Sequence, residues 1–172
     1  MGTMGDVTRT SREALSNNLT RRAAVGDMLV HQAMRIPDKT ALKFRETRYS
    51  YRELNTSVNR LAHGLTDQGI GKGDRVAVLS HNCDLIFISW FALMKVGAVM
   101  VPVNWLYKAE EVQYIVDHSE AEMIIAEDIL VGNVESVRES LKSVKHFVCI
   151  SLSGVDVPAD WIDIETLMTD DC

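Results

Sequence analysis

Four short apolar segments recur along this chain at almost constant spacing. They begin near Val76, Val99, Met123 and Phe147, so the steps between them are 23, 24 and 24 residues. A step of that length holds one helix between successive strands. The segments are apolar along their whole length and do not alternate, which calls for a sheet covered on both faces; parallel strands with helical crossovers provide one. Right-handed crossovers then give a three-layer, doubly wound α/β fold with a mostly parallel sheet. At least four parallel strands are expected, near 76–80, 99–103, 122–126 and 147–151. The segments are unlike one another in sequence, so the spacing is a βα rhythm and not an internal repeat.

Helical patterns fill the gaps: Asp84–Lys95 capped by Asn82, Lys108–His118, and Asp128–Lys142. Upstream, Asp27 can cap a helix that runs to Arg35 and stops at Pro37. Thr40–Phe44 and Thr47–Ser50 flank a short polar turn and read as a small β-hairpin. Ser50 followed by Glu53 forms a capping box, and Leu54, Val58, Leu61, Ala62 and Leu65 follow at helical spacing as far as Gln68. The stretch GIGKGD (69–74) then packs three glycines around a lysine. A phosphate loop leaves a strand and opens a helix, whereas these glycines close a helix and precede a strand, so they read as a turn. The long apolar run Leu85–Val103 is interrupted by Lys95, Gly97 and Pro102, and reads as a buried helix followed by a buried strand, not a membrane span.

Charge is unevenly spread. The net charge is −6, and the six acids after Ser151 stand without a single Lys or Arg. The rest of the chain is balanced, which gives no basic face for nucleic acid. The organisation expected is a polar arm over 1–26, an α/β domain over 27–151, and an acidic segment over 152–172 read as solvated surface. Contact of the arm with a membrane surface is left open. Three cysteines without C-x-x-C spacing and an N-terminus without an apolar signal core fit a reducing, cytoplasmic setting.

Catalytic motifs are missing. There is no G-x-S-x-G elbow and no histidine pair at metal-ligand spacing, so no catalytic residue and no metal ligand is assigned. Glu110-Glu111 and Glu120/Glu122 read as solvated faces. Doubly wound sheets bind ligands at the C-terminal ends of their strands. Those ends here are Ser80-His81-Asn82, Asn104-Trp105 and Glu127-Asp128, and His81 alone among the five histidines sits at one.

Four stretches occur in order: YSYRELN (49–55), GIGKGDRV (69–76), WFALMKVGA (90–98) and VPVN (101–104), with Glu111 and Ser119 in register. Together they resemble the N-terminal region of AMP-forming acyl-CoA synthetases, in the adenylate-forming superfamily. The resemblance runs from about residue 28 to 127 and continues loosely to the C-terminus. It implies a parent fatty-acid–CoA ligase that uses ATP and Mg²⁺ to make an acyl-adenylate and then transfers the acyl group to coenzyme A.

The family's Ser/Thr/Gly-rich loop, ribose-binding Asp and C-terminal Lys have no match in this sequence, so the resemblance covers about the first third of such an enzyme. It implies that this piece is catalytically silent alone, binds no cofactor firmly, and has the remaining two-thirds of the enzyme as its partner, with self-association of the isolated piece expected. By the same resemblance Asn104 and Trp105 become candidates for lining the passage of the coenzyme A arm. The alternative is a free-standing α/β module that binds a small molecule or a partner without catalysis.

Overall fold

A computed structural model describes residues 25–168. Of the expectations above, those for residues 1–24, Asp170, Asp171 and Cys172 lie outside the described residues. Helix α1 (Val25–Arg35) starts two residues before Asp27. That aspartate sits inside the first turn, where its charge meets the positive end of the helix dipole, and does not cap from outside. Strands β1 (Thr40–Phe44) and β2 (Thr47–Ser50) form the antiparallel hairpin. Helix α2 (Tyr51–Asp67) opens on the capping box: the Glu53 N–H donates to Ser50 Oγ at 3.2 Å and the Ser50 N–H to Glu53 Oε2 at 2.8 Å.

The glycine cluster is a turn. Gly69, at φ 81°, closes α2, with its own N–H on the Thr66 carbonyl and the Ile70 N–H on that of Leu65. This paired arrangement satisfies the last helical carbonyls and needs a left-handed residue. The Asp74 carboxylate then takes the Gly71 N–H at 2.8 Å. The turn leads into β3 (Arg75–Leu79) at the N-terminal edge of the sheet.

Helix α3 (Asp84–Val96), β4 (Val99–Val103), α4 (Ala109–Ser119), β5 (Met123–Glu127), α5 (Val131–Glu135), β6 (His146–Ile150), β7 (Ile162–Asp163) and α6 (Ile164–Leu167) complete the described chain. The five strands lie in the order β4-β3-β5-β6-β7, and every pair is parallel. Because side chains alternate across a strand, β3 and β5 feed two cores. Val76, Val78, Met123 and Ile125 pack in one with Leu54, Leu61, Leu65 and Leu93 of α2 and α3. Ala77, Leu79, Ile124 and Ala126 pack in the other with Val112 and Val116 of α4. The three-layer, doubly wound architecture is therefore present.

Four expectations need correction. The Asp128–Lys142 pattern is not one helix: a 3₁₀ turn (Asp128–Leu130), the short α5 and a second 3₁₀ turn (Arg138–Ser140) take its place. Gly132 and Asn133 disfavour a continuous helix, as do the β-branched Val131, Val134 and Val137. Second, Cys83 and not Asn82 caps α3, its Sγ accepting the Ile86 N–H at 3.4 Å. Third, among the described residues β4 is an edge strand with only β3 beside it. Val99 stays 49% exposed, Pro102 is exposed, and Trp90 of α3 is 42% exposed. An edge strand tolerates Pro102, whose missing N–H costs no ladder bond there. Fourth, the acidic C-terminal stretch is not all solvated surface. It supplies β7 and buries Trp161, Ile164 and Leu167. The α6 backbone comes so close to α2 that a Cβ on Gly64 would stand 1.9 Å from the Leu167 carbonyl oxygen.

Candidate functional site

Strand β3 is followed in the chain by β4 on one side of it, yet by β5 on the other. The crossovers leaving β3 and β4 thus go to opposite faces, and the loops diverge at the C-terminal ends of β3 and β5. This switch point is where open α/β sheets hold ligands. Ser80, His81 and Glu127 lie together there.

Glu127 ends β5 and is 4% exposed. A carboxylate out of water needs hydrogen bonds, and Glu127 has three on one oxygen. Its Oε2 accepts the Ser80 hydroxyl at 3.2 Å, the His81 backbone N–H at 2.8 Å and His81 Nδ1–H at 2.8 Å. On its other side the imidazole meets the Trp105 indole, with ring centroids 4.3 Å apart and planes at 36°. Trp105 stands in the loop after β4 and is 43% exposed.

The side chain of Asn104 turns to its own loop, where Oδ1 accepts the Leu106 N–H at 3.0 Å and the backbone carbonyl accepts the Tyr107 N–H at 3.0 Å. Of the two residues expected to line a passage, Trp105 thus joins the cluster and Asn104 shapes the turn that presents it.

Neighbouring groups are committed to the scaffold. Asp128 is buried, and burial by itself would raise its carboxyl. The N–H groups of Ser153 (2.8 Å), Val155 (3.3 Å) and Ile129 (2.9 Å) outweigh that and hold it below the usual carboxylate range. Burial pushes the Cys83 thiol up, away from the reactive thiolate form. Tyr49 donates its hydroxyl to Asp84 Oδ2 at 2.8 Å, and burial together with that carboxylate raises the phenol above its ordinary value.

Beside the switch point, Asn82, Ile86, Phe87, Trp90, Met100 and Pro102 line an open groove of 420 Å³ along the β4 edge. Among the described residues, no group of three His, Cys, Asp or Glu could hold a metal ion, and no helix is long and apolar enough to cross a membrane.

Sequence reasoning marked Glu127 as a strand end but gave it no role. The one signal was a carboxylate closing the otherwise apolar run MIIA. Its partner His81 lies 46 residues away, and only the sheet brings them together.

Comparison with known proteins points the same way as the topology. The sequence model of the AMP-binding enzyme family matches residues 29–166. A medium/long-chain-fatty-acid–CoA/3-oxocholest-4-en-26-oate–CoA ligase of Mycobacterium marinum is 32% identical over 126 residues, which are 73% of this chain and 23% of that protein. A crotonobetaine/carnitine–CoA ligase of Salmonella paratyphi B is 34% identical over 128 residues, 72% of this chain and 24% of its own. The chain therefore spans about a quarter of the length of the curated relatives it matches.

Among solved structures, a long-chain-fatty-acid-CoA ligase from Archaeoglobus fulgidus superposes with a TM-score of 0.75 at 26% identity, over 86% of this chain and 30% of that one. A fatty acyl CoA synthetase of Mycobacterium tuberculosis gives 0.72 at 30% identity, over 80% and 30%.

Proposed function

We propose, from the premise that this chain belongs to the AMP-binding enzyme family, that it forms the N-terminal portion of an acid–CoA ligase. In this reading the parent joins a carboxylic acid, of the fatty-acid class, to AMP at the expense of ATP, and coenzyme A then displaces AMP. The observation that carries it is the match of both sequence and fold to CoA ligases over about a quarter to a third of their length.

The residues in hand do not fit ATP or its Mg²⁺. The glycine turn 69–74 lies at the N-terminal edge of the sheet, away from the switch point, and spends its N–H groups on Asp74, Thr66 and Gly97. No step of adenylation is therefore assigned to these residues; in this reading the groups that carry it belong to further segments of the parent. Coenzyme A fits better. The exposed indole of Trp105, presented by the Asn104 turn, offers an apolar wall for its arm, and the thioester chemistry belongs to the coenzyme.

In the same reading the parent works in the cytoplasm, the further domains of the enzyme are this chain's partner, and the apolar edge around Trp90 and Val99 is surface for them to cover. The experiment is acid-dependent exchange of labelled pyrophosphate into ATP. Residues 1–172 should show none, while a longer protein carrying the Ser/Thr/Gly-rich loop should show it. Exchange by the purified 172-residue chain, lost when fatty acid is omitted, overturns the assignment. A free-standing binding module remains the rival, because the switch point is shaped like a ligand site. A cellular protein of 19.2 kDa with a stop after Cys172 would favour the rival.

A further inference from the structure

We propose that Glu127 and His81 are positioning residues that hold Trp105 in place for the thiol acceptor, a proposal that rests on Trp105 lining the coenzyme A passage. The three residues close three adjacent strands in spatial order: Trp105 follows β4, His81 follows β3 and Glu127 ends β5. Glu127 grips His81 twice, through the backbone N–H and through Nδ1, both at 2.8 Å from the same oxygen. The first contact fixes the main chain of residue 81 and the second fixes the rotation of its ring. An ionised carboxylate only accepts, so Nδ1 carries the proton in this arrangement. The imidazole plane is thereby set before it meets Trp105, at the 4.3 Å centroid distance of an aromatic contact.

The Trp105 turn needs such a support. Its hydrogen bonds, from Leu106 N–H to Asn104 Oδ1 and from Tyr107 N–H to the Asn104 carbonyl, fix backbone and leave the indole unheld. The indole's resting place among the described residues is the His81 ring. Glu127 is meanwhile far more buried than a stray surface carboxylate, and its third bond, from the Ser80 hydroxyl, holds it in turn. Neither Glu127 nor His81 needs to touch the thiol. Their effect passes through the angle of the Trp105 ring.

The test has two arms. In the 172-residue chain labelled with 5-fluorotryptophan, three fluorine signals report Trp90, Trp105 and Trp161 separately, with W105F giving the assignment. Glu127→Gln and His81→Ala should shift and broaden the Trp105 signal and leave the Trp90 and Trp161 signals in place. In the longer ligase, the same two substitutions should raise KM for coenzyme A by roughly 2- to 10-fold, the worth of one aromatic contact, while acid-dependent pyrophosphate exchange keeps its rate. Trp105→Ala, at an exposed site that cannot unfold the sheet, should reproduce that rise.

A Trp105 signal indifferent to both substitutions overturns the clamp, whatever the enzyme does. A Trp105 signal that moves while KM for coenzyme A stays fixed overturns the role in thiol positioning. Absence of acid-dependent exchange in the unsubstituted longer protein overturns the ligase reading and takes this proposal with it.

Discussion

Replacing Gly64 by alanine should destabilise this domain, although alanine is the better helix former. The residue lies in the last turn of α2, three residues before Asp67, where the gain in helix propensity is at most about 0.8–1 kcal/mol. Against that stands the Leu167 backbone: a new Cβ would be 1.9 Å from its carbonyl oxygen, 2.7 Å from its carbonyl carbon and 3.0 Å from its Cα. An ordinary C···O approach is about 3.3 Å, so α6 must retreat by roughly 1 Å or more.

Letting α6 detach would expose Ile164 and Leu167, both buried, at about 1.5–3 kcal/mol each. Local overpacking is cheaper, at about 1–3 kcal/mol. After the propensity gain, the net loss is up to about 2 kcal/mol. Urea denaturation followed by circular dichroism measures it in the 172-residue chain and in one ending at Asp163, which lacks the obstructing carbonyl. In the shortened chain Gly64→Ala should stabilise by roughly 0.5–1 kcal/mol, the propensity alone. Equal stabilisation in both chains would refute the reasoning.

Asp128 gives the acid limb of stability. Its folded-state carboxyl is held below the ordinary value, so its contribution is present above the unfolded-state pKa and drains away as pH falls through the folded one. Asp128→Asn should flatten that limb in urea titrations between pH 7 and 3, and at pH 7 should cost about 1–3 kcal/mol because the N–H donors of Ser153 and Val155 then face an amide. Gly73→Val places a β-branched residue at φ 92° and should cost about 1 kcal/mol or more in thermal melts, whereas the exposed Lys72→Ala should stay within about 0.5 kcal/mol. Arg138 lies 4.0 Å over the Phe147 ring and pairs with Glu135 and Asp160; Arg138→Ala should cost about 1–2 kcal/mol and alter the emission of Trp161, whose indole N–H also bonds Glu135.

The sheet was legible because its information is local: each of Val76, Val99, Met123 and Phe147 begins an apolar run, and two of the three gaps between them hold a crossover helix. The capping box of α2 was equally plain, since Ser50 and Glu53 sit three residues apart. What escaped was information carried between distant segments. Trp161, Ile164 and Leu167 are spaced three apart among acids, and their burial depends on β6 and α2 being there to receive them. The cap of α3 fell one residue late because a cysteine sulfur is an uncommon acceptor beside an asparagine. At the site, Trp105, His81 and Glu127 could all be placed at strand ends from the sequence, but the bond between the Glu127 carboxylate and His81 could not. Glu127 looks like the return of the chain to solvent until β3 is laid beside β5.

The strand order has a bearing on how the chain is made. β4 pairs with β3, β5 takes β3's other side, β6 adds to β5 and β7 to β6. No strand is inserted between two that are already paired. During synthesis from the N-terminus, every strand after β3 meets an open edge already outside the ribosome, and the sheet can lengthen at the pace of translation. The exception to this running order is α2, made early, whose Gly64 notch has no occupant until residue 167 emerges. Most of the apolar face of α2 is covered earlier by β3 and α3, but the notch waits for about 100 residues of further synthesis. Over that interval the notch beside Gly64 stays open, and a pause in translation once residue 168 has cleared the ribosome would give the last helix time to seat.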